Sequence, residues 1–213
     1  MTVPVIIQSR GGELPGDLTV PPRPVGVVVF AHGSGSSRHS RRNRAVAQAL
    51  QRRGFATLLL DLLTEDEEQV DLRSRQLRFD IGLLSARVST AVAQVQEHAA
   101  ARGLPVGLFG ASTGAAAALV AAADDHSIRA VVSRGGRPDL AGDALRRVQA
   151  PTLLLVGSLD VRVLDLNHQA SLQVVAETRI EVVQGATHLF EEPGALEEVA
   201  RLAGDWFYQH VPV

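Results

Sequence analysis

The sequence predicts an α/β domain, a mostly parallel twisted sheet of about eight strands with helices on both faces. Three observations lead there. Short aliphatic runs such as Val25–Ala31 and Thr152–Gly157 do not alternate with polar residues, which is the composition of strands covered on both sides. Longer amphipathic stretches separate them, the clearest with Leu77, Ile81, Leu84, Val88, Val92, Val95 and Ala99 at steps of three and four. The 213 residues hold no linker, repeat or low-complexity segment, so residues 1–213 read as one domain.

The elements follow in order. Val3–Gln8 and Leu14–Val20 flank Arg10-Gly11-Gly12 and read as an opening hairpin. Buried strands are expected at Val25–Ala31, Phe55–Asp61, Val106–Gly110, Arg129–Ser133, Thr152–Gly157 and Arg179–Gln184. Helices are expected at Arg44–Arg53, from Leu77 to Ala99, and at Thr113–Ala123, Leu140–Val148, Val163–Val175 and Ala195–His210. Strands alternating with helices imply parallel pairing, and such sheets bind ligands beyond the carboxyl ends of their strands. Residues just after each strand are therefore the ones to search.

Composition narrows the chemistry. A chain that is 46% hydrophobic and 21% charged is not disordered, and a net charge of -2 argues against nucleic acid as a partner. The apolar runs are strand-sized, so no membrane span is expected. Met1–Arg10 lacks the basic start and apolar stretch of a signal peptide, which points to the cytoplasm. There is no cysteine, and every basic side chain other than histidine is arginine. A thiol nucleophile, a thiolate metal site, a P-loop lysine and a serine–lysine dyad are all excluded. Covalent chemistry here needs a hydroxyl or a carboxylate.

The sharpest motif is Gly110-Ala111-Ser112-Thr113-Gly114, which follows a strand and opens an alanine-rich helix. That is the setting of a G-x-S-x-G nucleophile elbow, in which a serine on a tight turn stands at the sheet's carboxyl edge. A serine needs a base, and the base needs a carboxylate to orient it. In this topology the order is serine, acid, histidine, each on a loop after a later strand. Asp160, in Gly157-Ser158-Leu159-Asp160, and His188, in Gly185-Ala186-Thr187-His188, fit that order. The bland reading of Asp160 is a helix N-cap. Asp165 falls inside the next helix and reads as a solvated acid. His32-Gly33-Ser34-Gly35 follows the first buried strand, so the backbone N–H groups of Ser34 and Thr113 are the candidate oxyanion donors. Arg38, Arg41, Arg42 and Arg44 cluster after this loop, and Arg134 and Arg137 follow a later strand. Arg38 and Arg134 are the candidate substrate-binding residues for an anionic group, with a solvated helix face as the plainer reading.

These residues together resemble the α/β-hydrolases, and in length and layout the small cap-less dienelactone-hydrolase-like group. The stretch Gly107–Ala123, with Ser133-Arg134-Gly135-Gly136-Arg137-Pro138 and Gly185-Ala186-Thr187-His188-Leu189-Phe190, is also similar to hydrolase modules found beside phosphoribosyltransferases. The resemblance covers nearly the whole chain and carries the family's triad onto Ser112, Asp160 and His188. It departs at the nucleophile, since dienelactone hydrolases proper use cysteine. Residues 133–151 leave room for a loop and one helix, so no cap domain is expected. The resulting expectation is a serine hydrolase acting on a small carboxylic ester or lactone, with no cofactor or metal. A homodimer is compatible with it. Two other readings compete. Strand, Gly33-x-Gly35 and helix, with Asp61 ending the next strand, outline a dinucleotide-binding unit. However, Arg38 stands where that fingerprint wants its third glycine. A catalytically silent hydrolase fold acting as a binding module is the other.

Overall fold

A computed structural model describes residues 1–211. Eight strands form one sheet: β1 (Thr2–Ser9), β2 (Gly12–Thr19), β3 (Gly26–Ala31), β4 (Phe55–Leu60), β5 (Val106–Ala111), β6 (Ile128–Arg134), β7 (Thr152–Gly157) and β8 (Thr178–Val183). Their order across the sheet is β1-β2-β4-β3-β5-β6-β7-β8. The β1–β2 hairpin and the β2–β4 pair are antiparallel, and every later pair is parallel. The six α-helices among the described residues are α1 (Arg41–Arg52), α2 (Glu65–Ser74), α3 (Ile81–Glu97), α4 (Thr113–Asp124), α5 (Val161–Ser171) and α6 (Ala195–His210). No helix among the described residues is long and apolar enough to cross a membrane.

Each sheet face has its own core. One packs β-strand residues such as Val29 and Leu108 against α3 and α4, and the other packs Phe30, Phe109 and Val132 against α1 and α6. Helix α4 is apolar all round and almost wholly buried, and its alanines let it lie close to both the sheet and α3. That close seat fixes the helix N-terminus, where Ser112 sits.

Three segments depart from the sequence reading. The helix expected to start at Leu77 is split: Leu77–Phe79 is a 3-10 turn, and α3 begins after Asp80, whose side chain accepts from the Leu83 N–H at 2.9 Å. A helix cap at that point competes with a continuous helix and wins. The stretch Pro138–Arg147 is 3-10 rather than α-helical, broken by Gly142 at φ +53°. Helix α2 had no counterpart in the reading, because it presents little apolar face. It starts instead on a capping box: Thr64 Oγ1 accepts from Glu67 N–H at 3.3 Å and Glu67 Oε2 accepts from Thr64 N–H at 2.9 Å. Glu67 also holds the buried Arg87 through two bonds of 2.7 and 2.6 Å, tying α2 to α3.

His32 ties the loop after β3 to the loop after β4. Its Nε2 accepts from Leu62 N–H at 3.1 Å, so the proton rides on Nδ1 and is donated to the Gly33 carbonyl at 2.9 Å. Burial holds its pKa below the usual 6.5. The unfolded chain therefore binds the proton more readily, so this ring's contribution to stability is complete above about pH 6.5 and is lost as pH falls below it. Urea midpoints should drop between about pH 7 and about pH 5, and His32→Asn should flatten that slope. An unchanged slope in the variant would assign the pH dependence to other groups.

Candidate active site

Ser112 stands between β5 and α4 with φ +50° and ψ -121°, a backbone conformation that costs a non-glycine residue of order 1–3 kcal/mol. The surroundings enforce it. Ser112 N–H donates to the Arg134 carbonyl at 3.2 Å, and its own carbonyl accepts from Ala115 and Arg137 N–H, both at 3.1 Å. The flanking glycines make the turn possible by close approach. A Cβ on Gly114 would strike the carbonyl oxygens of Ala31 and His32, and one on Gly110 would strike the backbone of Ala115.

Asp160 opens α5, yet its side chain caps nothing. Its Oδ2 instead takes the His188 Nδ1 at 2.6 Å. Asp160 thus stands at the N-cap position, as the plainer reading had it, but its side chain serves His188 rather than the helix. Asp165 is exposed on α5 and is not bonded to His188 among the described residues. The turn after β7 and the loop after β8 are stitched together by Ser158 N–H to Val183 O and Leu159 N–H to Ala186 O, both 3.0 Å, and by Gly185 N–H to Ser158 Oγ at 2.8 Å. Gly157 allows that seam, since any Cβ there would collide with the Ala186 and Thr187 carbonyls. Further along the same loop, Thr187 Oγ1 is bonded to Glu192 Oε1 at 2.6 Å and buried Phe190 sits at φ +55°. The histidine is thus held from both sides.

Ser112 and the Asp160–His188 pair share one edge of the sheet. Gly135, next in chain to the carbonyl that anchors Ser112, lies against the imidazole: a Cβ there would be 3.6 Å from His188 Cε1. Among the described residues the Ser112 hydroxyl makes no hydrogen bond to His188. Ser34 is exposed on the loop that packs on the elbow, and Thr113 is the first residue of α4. Neither amide is engaged by another group among the described residues, so both are free to serve an incoming oxygen.

The two arginines expected at the substrate fare differently. Arg38 is committed to structure: its backbone N–H donates to Asp61 Oδ1 at 2.7 Å and its guanidinium pairs with Asp61 Oδ2. The same contacts remove the dinucleotide reading, because Asp61 holds Arg38 where it would have to face a ribose. Arg134 is 8% exposed, with its Nη1 buried and unpartnered. Burial, and then the charge of Arg42, pull its pKa down to about 10, so it stays cationic at neutral pH.

A cavity of about 220 Å³ opens beside the elbow, lined by Gly33, Ser34, Ser36, Ser37, Thr113 and Arg78 among others. Sequence reasoning missed Arg78. It is fixed by buried Asp71, which accepts from its backbone N–H at 3.1 Å and from its Nε. The capping-box spacing Thr64-x-x-Glu67 was the available signal for α2, which carries Asp71.

Residues 24–201 match the family described as the alpha/beta hydrolase domain. The chain belongs to the α/β-hydrolase family. Its mostly parallel eight-stranded sheet carries no cap domain among the described residues, and this layout matches that of a dienelactone hydrolase. The crystal structure of a dienelactone hydrolase from Anabaena variabilis is 51% identical, with a TM-score of 0.97 over 99% of this chain and 98% of that one. Est1E from Butyrivibrio proteoclasticus shares the fold at 17% identity, with a TM-score of 0.80 over 97% and 98% of the two chains. A Mycobacterium tuberculosis protein provisionally named a phosphoribosyl transferase is 58% identical over 208 residues, which is 96% of this chain. This α/β-hydrolase domain spans 46% of that relative's length, about half.

Proposed function

We propose that this α/β-hydrolase is a serine esterase or lactonase that works through an acyl-enzyme. The observation that carries the reading is the coincidence of a strained Ser112 elbow, two free amides and a histidine bonded to a part-buried carboxylate at one sheet edge. His188 Nε2 takes the Ser112 proton as Oγ attacks the carbonyl carbon. Asp160 holds the imidazole with its proton on Nδ1 and stabilises the imidazolium. The oxyanion rests on the amides of Ser34 and Thr113, at the positive end of α4. His188 then protonates the leaving alcohol, and water, deprotonated by the same ring, releases the acid. Catalytic hydrogen bonds of unliganded sites are commonly loose and tighten on substrate, so the open Ser112–His188 link agrees with this cycle. The transferase name belongs to proteins of which this chain spans less than half, and the groups gathered here suit acyl transfer.

A fluorophosphonate probe tests the reading. Labelling at Ser112, mapped by peptide mass, is expected; an unlabelled, folded protein would instead favour the silent binding module.

The site has a low rim. Leu159, Val161 and Leu189 are exposed at its mouth, and no roof covers them among the described residues. A long acyl chain would stay wet there, and each methylene contributes about 0.8 kcal/mol only when buried. For p-nitrophenyl esters from acetate to laurate, below their micelle concentrations, kcat/KM should peak at butyrate or shorter. A peak at octanoate or longer would contradict an open site.

A further inference from the structure

Thr113 is 3% exposed, and its Oγ1 is buried without a hydrogen-bond partner. Its place explains why. A threonine within a helix usually gives its hydroxyl proton to the carbonyl four residues back, but Thr113 is the first residue of α4 and has no helical carbonyl behind it. An orphaned buried hydroxyl is a standing cost, and a valine would fit the space without it. Thr113 also lines the cavity beside the elbow, together with Ser34, Ser36 and Ser37. Arg78 enters the same wall with its Nε committed to Asp71, while its Nη1 lies 3.3 Å from where a Cβ on Gly35 would be. The cavity therefore holds hydroxyl and guanidinium donors beside the residues that supply the two oxyanion amides, together with apolar Leu62 and Leu84, the carboxylates of Asp61 and Asp71 already paired with Arg38 and Arg78, and Glu68. An all-carbon acyl group entering it would leave those donors dry and unpaired. An acyl group carrying an oxygen near its carbonyl would pair with them.

Resting on the esterase reading above, we propose that this cavity is the acyl subsite and that the Thr113 hydroxyl selects short acyl groups bearing an oxygen two bonds from the reacting carbonyl carbon. The hydroxyl donates to that oxygen, distinct from the backbone N–H of the same residue, which serves the oxyanion. Thr113 thereby acts twice, once through its main chain on the reaction and once through its side chain on substrate choice.

The test uses two isosteric esters, p-nitrophenyl butyrate and p-nitrophenyl methoxyacetate, which differ by one methylene replaced by oxygen. Their kcat/KM ratio is divided by the ratio of their alkaline hydrolysis rates, which removes intrinsic reactivity. The wild-type enzyme should favour methoxyacetate in this corrected ratio. Thr113→Val should lower the ratio by about tenfold, the scale of one hydrogen bond to a substrate oxygen, and Thr113→Ser should restore most of it. Because the hydroxyl has no partner in the free protein, Thr113→Val should melt no lower than the wild type. An equal fall on both esters would make the hydroxyl an aid to the oxyanion or to the fold and overturn the proposal. So would an unchanged ratio. Fluorophosphonate labelling of each variant separates the two levels: unlabelled wild type defeats the esterase reading, whereas labelled enzyme with an insensitive ratio defeats only the subsite.

Discussion

Replacing Ser112 by alanine is expected to lower kcat for an activated ester by about 10⁶, the scale seen when a triad serine is removed from an enzyme of this mechanism. The change deletes one oxygen and leaves the elbow, which is built from backbone bonds to Arg134, Ala115 and Arg137 rather than from the hydroxyl. Alanine at φ +50° bears the same backbone strain as serine, so the melting temperature should hardly move. Loss of activity with retained stability would isolate the hydroxyl as the reacting group. Retention of more than about a tenth of the wild-type rate would require another nucleophile.

Asp160→Asn should cost roughly 10⁴ in kcat, because an amide can offer its N–H to the ring and so favour the tautomer with its proton on the wrong nitrogen. The 2.6 Å contact to His188 Nδ1 makes Asp160 the only carboxylate bonded to that ring among the described residues. Asp165→Asn, on the exposed side of α5, serves as the matched control and should be nearly silent. The paired measurement is steady-state kcat on one neutral ester for both variants at one pH. Reversal of their ranking would mean that the carboxylate orienting His188 is Asp165.

Legibility in the sequence followed how local each signal was. The buried strands were readable because burial on both faces forbids polar alternation, and the element order then fixed where Ser112, Asp160 and His188 would fall. The elbow was readable because its glycines answer to close contacts that recur wherever this turn is built. Helix α2 was not, because four acids in its first turn and few apolar positions hide the period, while its stability comes from a capping box and from Arg87 twenty residues on. The break at Asp80 was hidden by an apolar spacing that runs unbroken through it. Arg38 and Asp61 looked like separate candidates, one for an anion and one for a ribose; only a contact across 23 positions shows that each occupies the other. The isolation of Arg134 and Thr113 was equally out of reach, since a missing partner is a property of packing and leaves no mark on residue type.

The seam between the turn after β7 and the loop after β8 joins the acid, carried by an interior strand, to the base, carried by the last strand of the sheet. Strand β8 has a neighbour on one side only, and most of its residues keep some contact with solvent. Edge strands of this kind open at lower free energy than central ones. Ser112 belongs to the centre of the sheet, on β5 and α4, where opening requires global unfolding. Fraying at β8 would therefore part His188 from Asp160, which stays with β7, while leaving the nucleophile in place. In rising urea, hydrolysis should fail at a lower concentration than the circular dichroism of the fold, and amide exchange at Val182 and Val183 should report the same early transition.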